Sequence, residues 1–289
     1  MLPSEQVPGV YHHRVGDALV TTLSDGYLDS GLDIFHAVSA DEAAALLTKG
    51  CQPVPPRLAV NVFMVRSGGR TALIDAGSSD RMGPTCGWLP ASLAAAGVAP
   101  EEVDTVLLTH MHPDHSAGLL TPSGAAQFPN AEVVVGEADY RLWHDDVAMA
   151  ATDARRRLRY FEWGRAQVAP YKDRLRWAAG EVFPGVTAVP IPGHTPGHTG
   201  YLVDGGADSL LVWGDTVHIP GVQVPRPDAA MVFDWEPERG VESRRRTFDM
   251  VIADRLLVGG MHVHFPGFAR MTRGGEGYRL IQEPWAFTL

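Results

Sequence analysis

Only two cysteines, Cys51 and Cys86, occur in 289 residues. That excludes a disulfide framework, which needs several pairs, and a thiolate zinc cluster. Basic residues are outnumbered, with 24 Lys and Arg against 34 Asp and Glu and a formal charge of −10. A binder of nucleic-acid backbone would show the opposite balance, so no nucleic-acid partner is expected. Long apolar runs are missing too, and none approaches the ~18 residues of a membrane-spanning helix. The opening MLPSEQVPGVYHHRVG has neither the basic stretch nor the apolar core of a secretory signal. The expectation is a cytoplasmic protein with reduced thiols and no membrane partner. Apolar residues still make up 45% of the chain, which excludes disorder. With no repeat, low-complexity tract or clear linker, one domain over residues 1–289 is expected, near the size at which single cores stop growing.

What the chain does have is short β-type runs alternating with helical ones. Ala59–Val65 and Thr71–Ile74, joined by Ser67-Gly68-Gly69-Arg70, read as a hairpin. Further strands are predicted at Thr105–Leu108, Glu132–Val135, Val186–Val189, Gly200–Val203, Ser209–Trp213, Leu256–Val258 and Tyr278–Ile281. Helices are predicted at Ala40–Thr48, where Ser39 and Glu42 have capping-box spacing, and at Pro90–Ala96, Asp153–Val168 and Glu238–Ala253. The clusters Arg155–Arg157 and Arg244–Arg246 fall in the last two and read as solvated helix faces. The mixture suggests an α/β or α+β fold with sheets inside and helices outside.

Twelve histidines are the surplus, and their positions carry the functional signal. His110-Met111-His112-Pro113-Asp114-His115 directly follows the strand TVLL. Four potential ligands thus collect at the carboxyl end of a buried-looking strand, where ligands of α/β sheets gather. In an extended turn His110 and His112 project to the same side, because side chains alternate with period two. Imidazole and carboxylate together suit a borderline divalent ion such as zinc. Pro192-Gly193-His194-Thr195-Pro196-Gly197-His198, Gly214-Asp215 and Gly260-Met261-His262-Val263-His264-Phe265-Pro266-Gly267 each place a ligand-type residue just past an apolar run. Spacing alone leaves open whether His194 or His198, and His262 or His264, is the ligand.

The order H-x-H-x-D-H, P-G-H, G-D and a late His resembles the metallo-β-lactamase superfamily. The resemblance runs from about Asn61 to Gly267 and includes Asp75 in ALIDAGSS, matching that family's strand-end D-x-G. It implies an α+β fold, the αβ/βα sandwich of two mixed β-sheets flanked by helices. It also implies a ligand set: His110, His112 and His194 for one metal, Asp114, His115 and His262 for a second, and Asp215 bridging them. His198 is left to pack or to support a ligand, and Asp75 to hydrogen-bond a ligand imidazole. The implied cofactors are two divalent ions, zinc first, with manganese, iron or cobalt also accepted. The implied reaction is hydrolysis, in which a metal-bridging hydroxide attacks a carbonyl or phosphoryl centre and Asp114 orients it.

Departures within the resemblance narrow the substrate. Asp215 counts against a true β-lactamase, and only 27 residues follow His262, too few for a thioester-binding helical region. The MHVHFPG segment and His218, three residues after Asp215, are similar to the methyl parathion hydrolase-like branch. A small-molecule ester or lactone is the expected substrate class, with His218 orienting the carbonyl or protonating the leaving alkoxide. The alternatives are an acyl-homoserine-lactone quorum-quenching lactonase, an organophosphate hydrolase, or a non-catalytic metal-binding protein. Phe161, Trp163, Val222 and Phe265 are the candidates for an apolar pocket, with at least half of them expected in the core. A homodimer is the default assembly.

Overall fold

Runs rich in Val, Leu and Ile, punctuated by glycine and aspartate turns, form two seven-stranded sheets in a computed structural model of the chain. The structure describes Pro3 and residues 6–275 and 277–289. The first sheet contains β1 (Val10–Val15), β2 (Ala18–Asp29), β3 (Arg57–Ser67), β4 (Arg70–Ile74), β5 (Thr105–Leu107), β6 (Glu132–Val135) and β7 (Leu175–Trp177), side by side in chain order. β1 to β4 pair antiparallel and β4 to β7 parallel. The second sheet contains β8 (Glu181–Phe183), β9 (Val186–Pro190), β10 (Thr199–Val203), β11 (Leu210–Val212), β12 (Leu257–Gly259), β13 (Phe268–Gly274) and β14 (Gly277–Gln282). All its pairs are antiparallel except β11 with β12.

Alternation along the strands builds the layers. In β3, Phe63 and Val65 point into a core shared with Val186, Tyr201, Val212 and Phe268 of the opposite sheet. Their neighbours Val62 and Met64 point the other way, to the helices on the outer face. Strands buried on both faces read as continuous apolar runs, which is why β3 was legible. The outer face of the first sheet is covered by α2 (Leu89–Ala95), α4 (Glu137–Trp143), α5 (Asp146–Ala151) and α7 (Trp163–Val168), and the short helices α3 (Pro113–Ser116) and α6 (Ala154–Arg156) fall between these in the chain. The second sheet is covered by α9 (Pro237–Ala253), whose Phe248 and Val251 meet Leu211 and Trp213. Between them α1 (Ala40–Lys49) packs on α8 (Pro220–Gln223). The architecture is the αβ/βα sandwich that the motifs imply.

Three expectations need correction. The helix read over Asp153–Val168 is not uniform: α6 and α7 are separated by a six-residue π turn, Arg157–Glu162. Arg244 does not lie on a solvated face. It is 2% exposed and donates to the carbonyls of Thr216, Pro227 and Ala229 at 2.7, 2.8 and 3.2 Å, so its charge is spent on capping loop backbone. Finally β1, β2, β7, β8 and β13 add strands that the apolar pattern did not reveal. Ser39 does cap α1, accepting from the Glu42 N–H at 3.2 Å. No helix among the described residues is long and apolar enough to cross a membrane.

Candidate metal centre

One end of the sandwich gathers the chemistry, because β4 and β5 of one sheet and β11 and β12 of the other deliver their carboxyl ends there. Asp75 follows β4 in a left-handed conformation (φ 67°), which aspartate tolerates better than most residues. Its carboxylate accepts from Thr109 N at 2.7 Å, Thr109 Oγ1 at 2.8 Å and His115 Nδ1 at 2.7 Å, tying the β4 and β5 loops together. After β5 the chain runs extended to His112, and Pro113 then starts α3. That switch from extended to helical backbone turns Asp114 and His115 toward the same centre as His110 and His112. His194 arrives on the β9–β10 loop, Asp215 after β11 and His262 after β12.

The side chains converge in two groups that share Asp215. His110, His112, His194 and Asp215 form one, and Asp114, His115, Asp215 and His262 the other, with the donor atoms of each group within 4.8 Å of one another. His194 Nε2 is 2.9 Å from His112 Nδ1, 3.2 Å from His110 Nε2 and 3.3 Å from Asp215 Oδ2. In the second group Asp215 Oδ1 is 3.1 Å from His115 Nε2 and 3.3 Å from His262 Nε2, and Asp114 Oδ2 is 3.5 and 3.6 Å from the same two nitrogens. Ligands ~2.0–2.1 Å from a tetrahedral ion stand about 3.3 Å apart, so both groups have the spacing of coordination shells.

Orphaned atoms test that fit independently. His115 Nε2, His262 Nε2 and Asp215 Oδ1 are buried without a hydrogen-bond partner, although buried polar atoms are nearly always paired. The far ring nitrogens are engaged instead: His115 Nδ1 with Asp75, His194 Nδ1 with Asp234 Oδ1 at 2.7 Å, and His262 Nδ1 with the Ala59 carbonyl at 2.7 Å. This is how proteins fix the tautomer of metal-binding histidines. Electrostatics agree. Burial and the neighbouring imidazoles hold His110 and His112 well below the ordinary histidine value, hence neutral. Burial opposes protonation of His115 and His262 as well, but Asp215 and Asp114 outweigh it and raise both. A cation between those carboxylates would take the place of the protons.

The remaining candidates divide cleanly. His218 Nε2 lies 2.9 Å from Asp215 Oδ2, and burial lowers its pKa to about 4. His198 stands behind the cluster, accepting from Asp215 N–H at 2.8 Å and engaging the Ile191 carbonyl at 2.7 Å. His264 is exposed and outside the cluster. Phe161 and Val222 are fully buried core residues, whereas Phe265 is 40% exposed and Trp163 packs under Arg81. Sequence reasoning missed Asp234, which holds His194, and Tyr160, whose ring stacks on His112 with centroids 4.4 Å apart.

Comparison with known proteins places this geometry. A family model described as the metallo-beta-lactamase superfamily matches residues 55–270. The crystal structure of the hydrolase AbOPH of the β-lactamase superfamily is 31% identical, with a TM-score of 0.91 over 98% of this chain and 100% of that one. AidC, a dizinc quorum-quenching lactonase solved with a product, N-hexanoyl-L-homoserine, has the same fold at 20% identity, with a TM-score of 0.91 over 98% of this chain and 100% of that one. Uncharacterized protein YobT of Bacillus subtilis (strain 168) is 28% identical over 171 residues, 58% of this chain, and the match spans 66% of that relative's length.

Proposed function

Because this chain belongs to the metallo-β-lactamase superfamily, we propose that it is a metal-dependent hydrolase of small esters or lactones. The observation that carries this is Asp215 Oδ1, buried 3.1 and 3.3 Å from the Nε2 atoms of His115 and His262, with none of the three atoms in an assigned hydrogen bond. His110, His112, His194 and Asp215 would hold one divalent ion, zinc in the first instance, and Asp114, His115, His262 and Asp215 a second. Such ions, when bound, supply activated water at neutral pH and polarise the attacked carbonyl.

The protein's own groups then have separable tasks. Asp114 is the most open member of the set, its side chain 15% exposed, so it can accept a proton from water and return it to the departing alkoxide. His218 Nε2 lies 2.9 Å from Asp215 Oδ2 with neither ring nitrogen in an assigned hydrogen bond, and burial keeps the ring uncharged near neutral pH. We therefore read it as orienting Asp215 and the substrate oxygen rather than as a cationic acid. Phe233, packed on His194 and His218 at 5.9 and 5.0 Å between centroids, shields that side from water.

Lactones stand first among substrates to test, since AidC, with the same fold, is a lactonase. Zinc-reconstituted protein assayed by pH-stat against lactones, aryl esters, phosphotriesters and β-lactams is expected to turn over lactones or esters. Turnover confined to β-lactams would overturn the substrate class. Stoichiometric metal with no turnover of any compound would favour a non-catalytic metal-binding role instead.

A further inference from the structure

The seven clustered side chains are not sealed evenly. Asp114 is 15% exposed and His112 5%, while the other five are at most 4% exposed, so solvent reaches the cluster past Asp114 and His112. One segment lies over that side: α6, the π turn Arg157–Glu162 and α7. From the π turn Tyr160 stacks on His112, its ring 29° from parallel. Two arginines tie the segment to the walls on either side. Arg156 Nη2 donates to the Val232 carbonyl at 2.8 Å, in the loop that carries Phe233 and Asp234. Arg159 Nη2 lies 2.6 Å from Met82 Sδ, in the loop that follows Asp75.

What this strap offers a substrate is one-sided. A guanidinium has five N–H donors and no acceptor, and Tyr160 adds an O–H. Little of that donor capacity is used within the protein. Among the described residues Arg156 has one carboxylate within 4.0 Å, Asp153 at 3.8 Å, and Arg159 has none. A π turn widens the helix and is found disproportionately at functional sites. Here it sets Tyr160 on His112, beside the most exposed of the seven clustered side chains, with Arg156 and Arg159 four residues and one residue before it on the same strap, in a protein whose overall charge of −10 would otherwise repel anions.

We propose that Arg156 and Arg159 hold a carboxylate of the substrate, so that the protein selects esters or lactones that carry a second, anionic group. A planar guanidinium matches a carboxylate with two parallel hydrogen bonds, which a neutral substrate cannot offer. Holding that group over Tyr160 would place the scissile carbonyl beside Asp114. This inference rests on the hydrolase reading above.

The test compares two 4-nitrophenyl esters of matched chain length on the zinc-loaded protein, the glutarate half-ester and the neutral valerate. The half-ester is expected to have a kcat/KM at least about tenfold higher, with the ratio falling as added salt screens the charge. Arg159→Gln should lower the ratio, Arg156→Gln/Arg159→Gln should bring it near one, and Arg159→Lys should retain part of it. Arg159→Gln removes only a contact to Met82, so it separates loss of recognition from loss of fold. A wild-type ratio of one or less, or a ratio unmoved by the double substitution, overturns the proposal. Calorimetric titration with glutarate supplies a readout without turnover: binding should weaken about tenfold in the double variant, and equal affinity overturns the proposal. If neither ester is hydrolysed, the lactone panel above decides the hydrolase reading, and the glutarate titration by itself decides whether the strap binds carboxylates.

Discussion

His194 Nδ1 lies 2.7 Å from Asp234 Oδ1, and the other oxygen of Asp234 accepts from the Met231 N–H at 2.7 Å. Both oxygens of this buried carboxylate are therefore committed, and the imidazole has one orientation. With Nδ1 protonated, the Nε2 lone pair faces His110 and His112. Asp234→Ala is expected to weaken zinc at the proposed His110, His112 and His194 site roughly 10–100-fold. Zinc at the proposed Asp114, His115 and His262 site should change far less. Competition with a chromophoric chelator measures both. Equal weakening of the two, or of neither, would show that Asp234 does not act through His194.

Gly118 sits where two loops pass at closest approach. A Cβ there would lie 1.8 Å from the Ala76 carbonyl oxygen, which has no room to retreat because Ala76 N–H donates to His115 O and Gly118 N–H to Gly77 O. Gly118→Ala should therefore force apart the segments that hold Asp75 against His115. We expect a stability loss of about 1–3 kcal/mol, together with weaker binding of the ion at Asp114, His115 and His262. Urea unfolding in chelator isolates the first effect, and zinc titration the second. Full stability in the alanine variant would refute the close approach.

How far the sequence spoke depended on whether the signal was local. H-x-H-x-D-H was readable because one strand end, one extended turn and one helix start suffice to bring four side chains together. Asp215 and His262 sit just past apolar strands, but spacing left His262 and His264 open, and the choice of both residues, like the notice of Asp75, came from the family resemblance. Asp234 gave no signal: it lies in the loop MVFDWEP, forty residues from the histidine it holds, with no strand to mark it. Tyr160 was hidden because helical periodicity assumes 3.6 residues per turn, and the π turn changes which side chains share a face. β1 reads VYHHRV and is half-exposed at a sheet edge, so its pattern is too polar to count as a strand. Arg244 was misread because charge ordinarily marks solvent, whereas here three loop carbonyls satisfy it.

Metal removal gives a direct check on the cluster. A ligand that binds only the folded chain stabilises it by about 2.7–4.1 kcal/mol at 100–1,000 times its dissociation constant. Chelation should lower the melting temperature, and zinc should restore it. Asp215 and Asp114 favour protons on His115 and His262 where a cation would sit, so the stabilisation should shrink as pH falls, and binding should release protons. Calorimetry in two buffers of different ionisation enthalpy reads that release. A melting temperature indifferent to chelator and zinc would remove the metal centre.

Asp25 offers a pH test at a carboxylate outside the ligand set, in contact with the loop that follows Asp75. Its carboxylate is fully buried, accepting from Ser78 N–H at 2.7 Å and Leu89 N–H at 2.8 Å. Burial outweighs those donors and raises its pKa from 3.8 to about 6. An acid harder to ionise in the folded chain keeps its proton there after the unfolded chain has released it. Stability from this group is thus complete below about pH 4, declines as pH rises to about 6, and is level above that. Asp25→Asn cannot titrate, so subtracting its unfolding free energy from that of the wild type isolates the effect. With chelator present throughout, the difference should move against the wild type by about 2 kcal/mol between pH 4 and pH 6.5. A difference that stays constant, or that grows in the wild type's favour, would mean that the backbone donors prevail and Asp25 is ionised across the whole range.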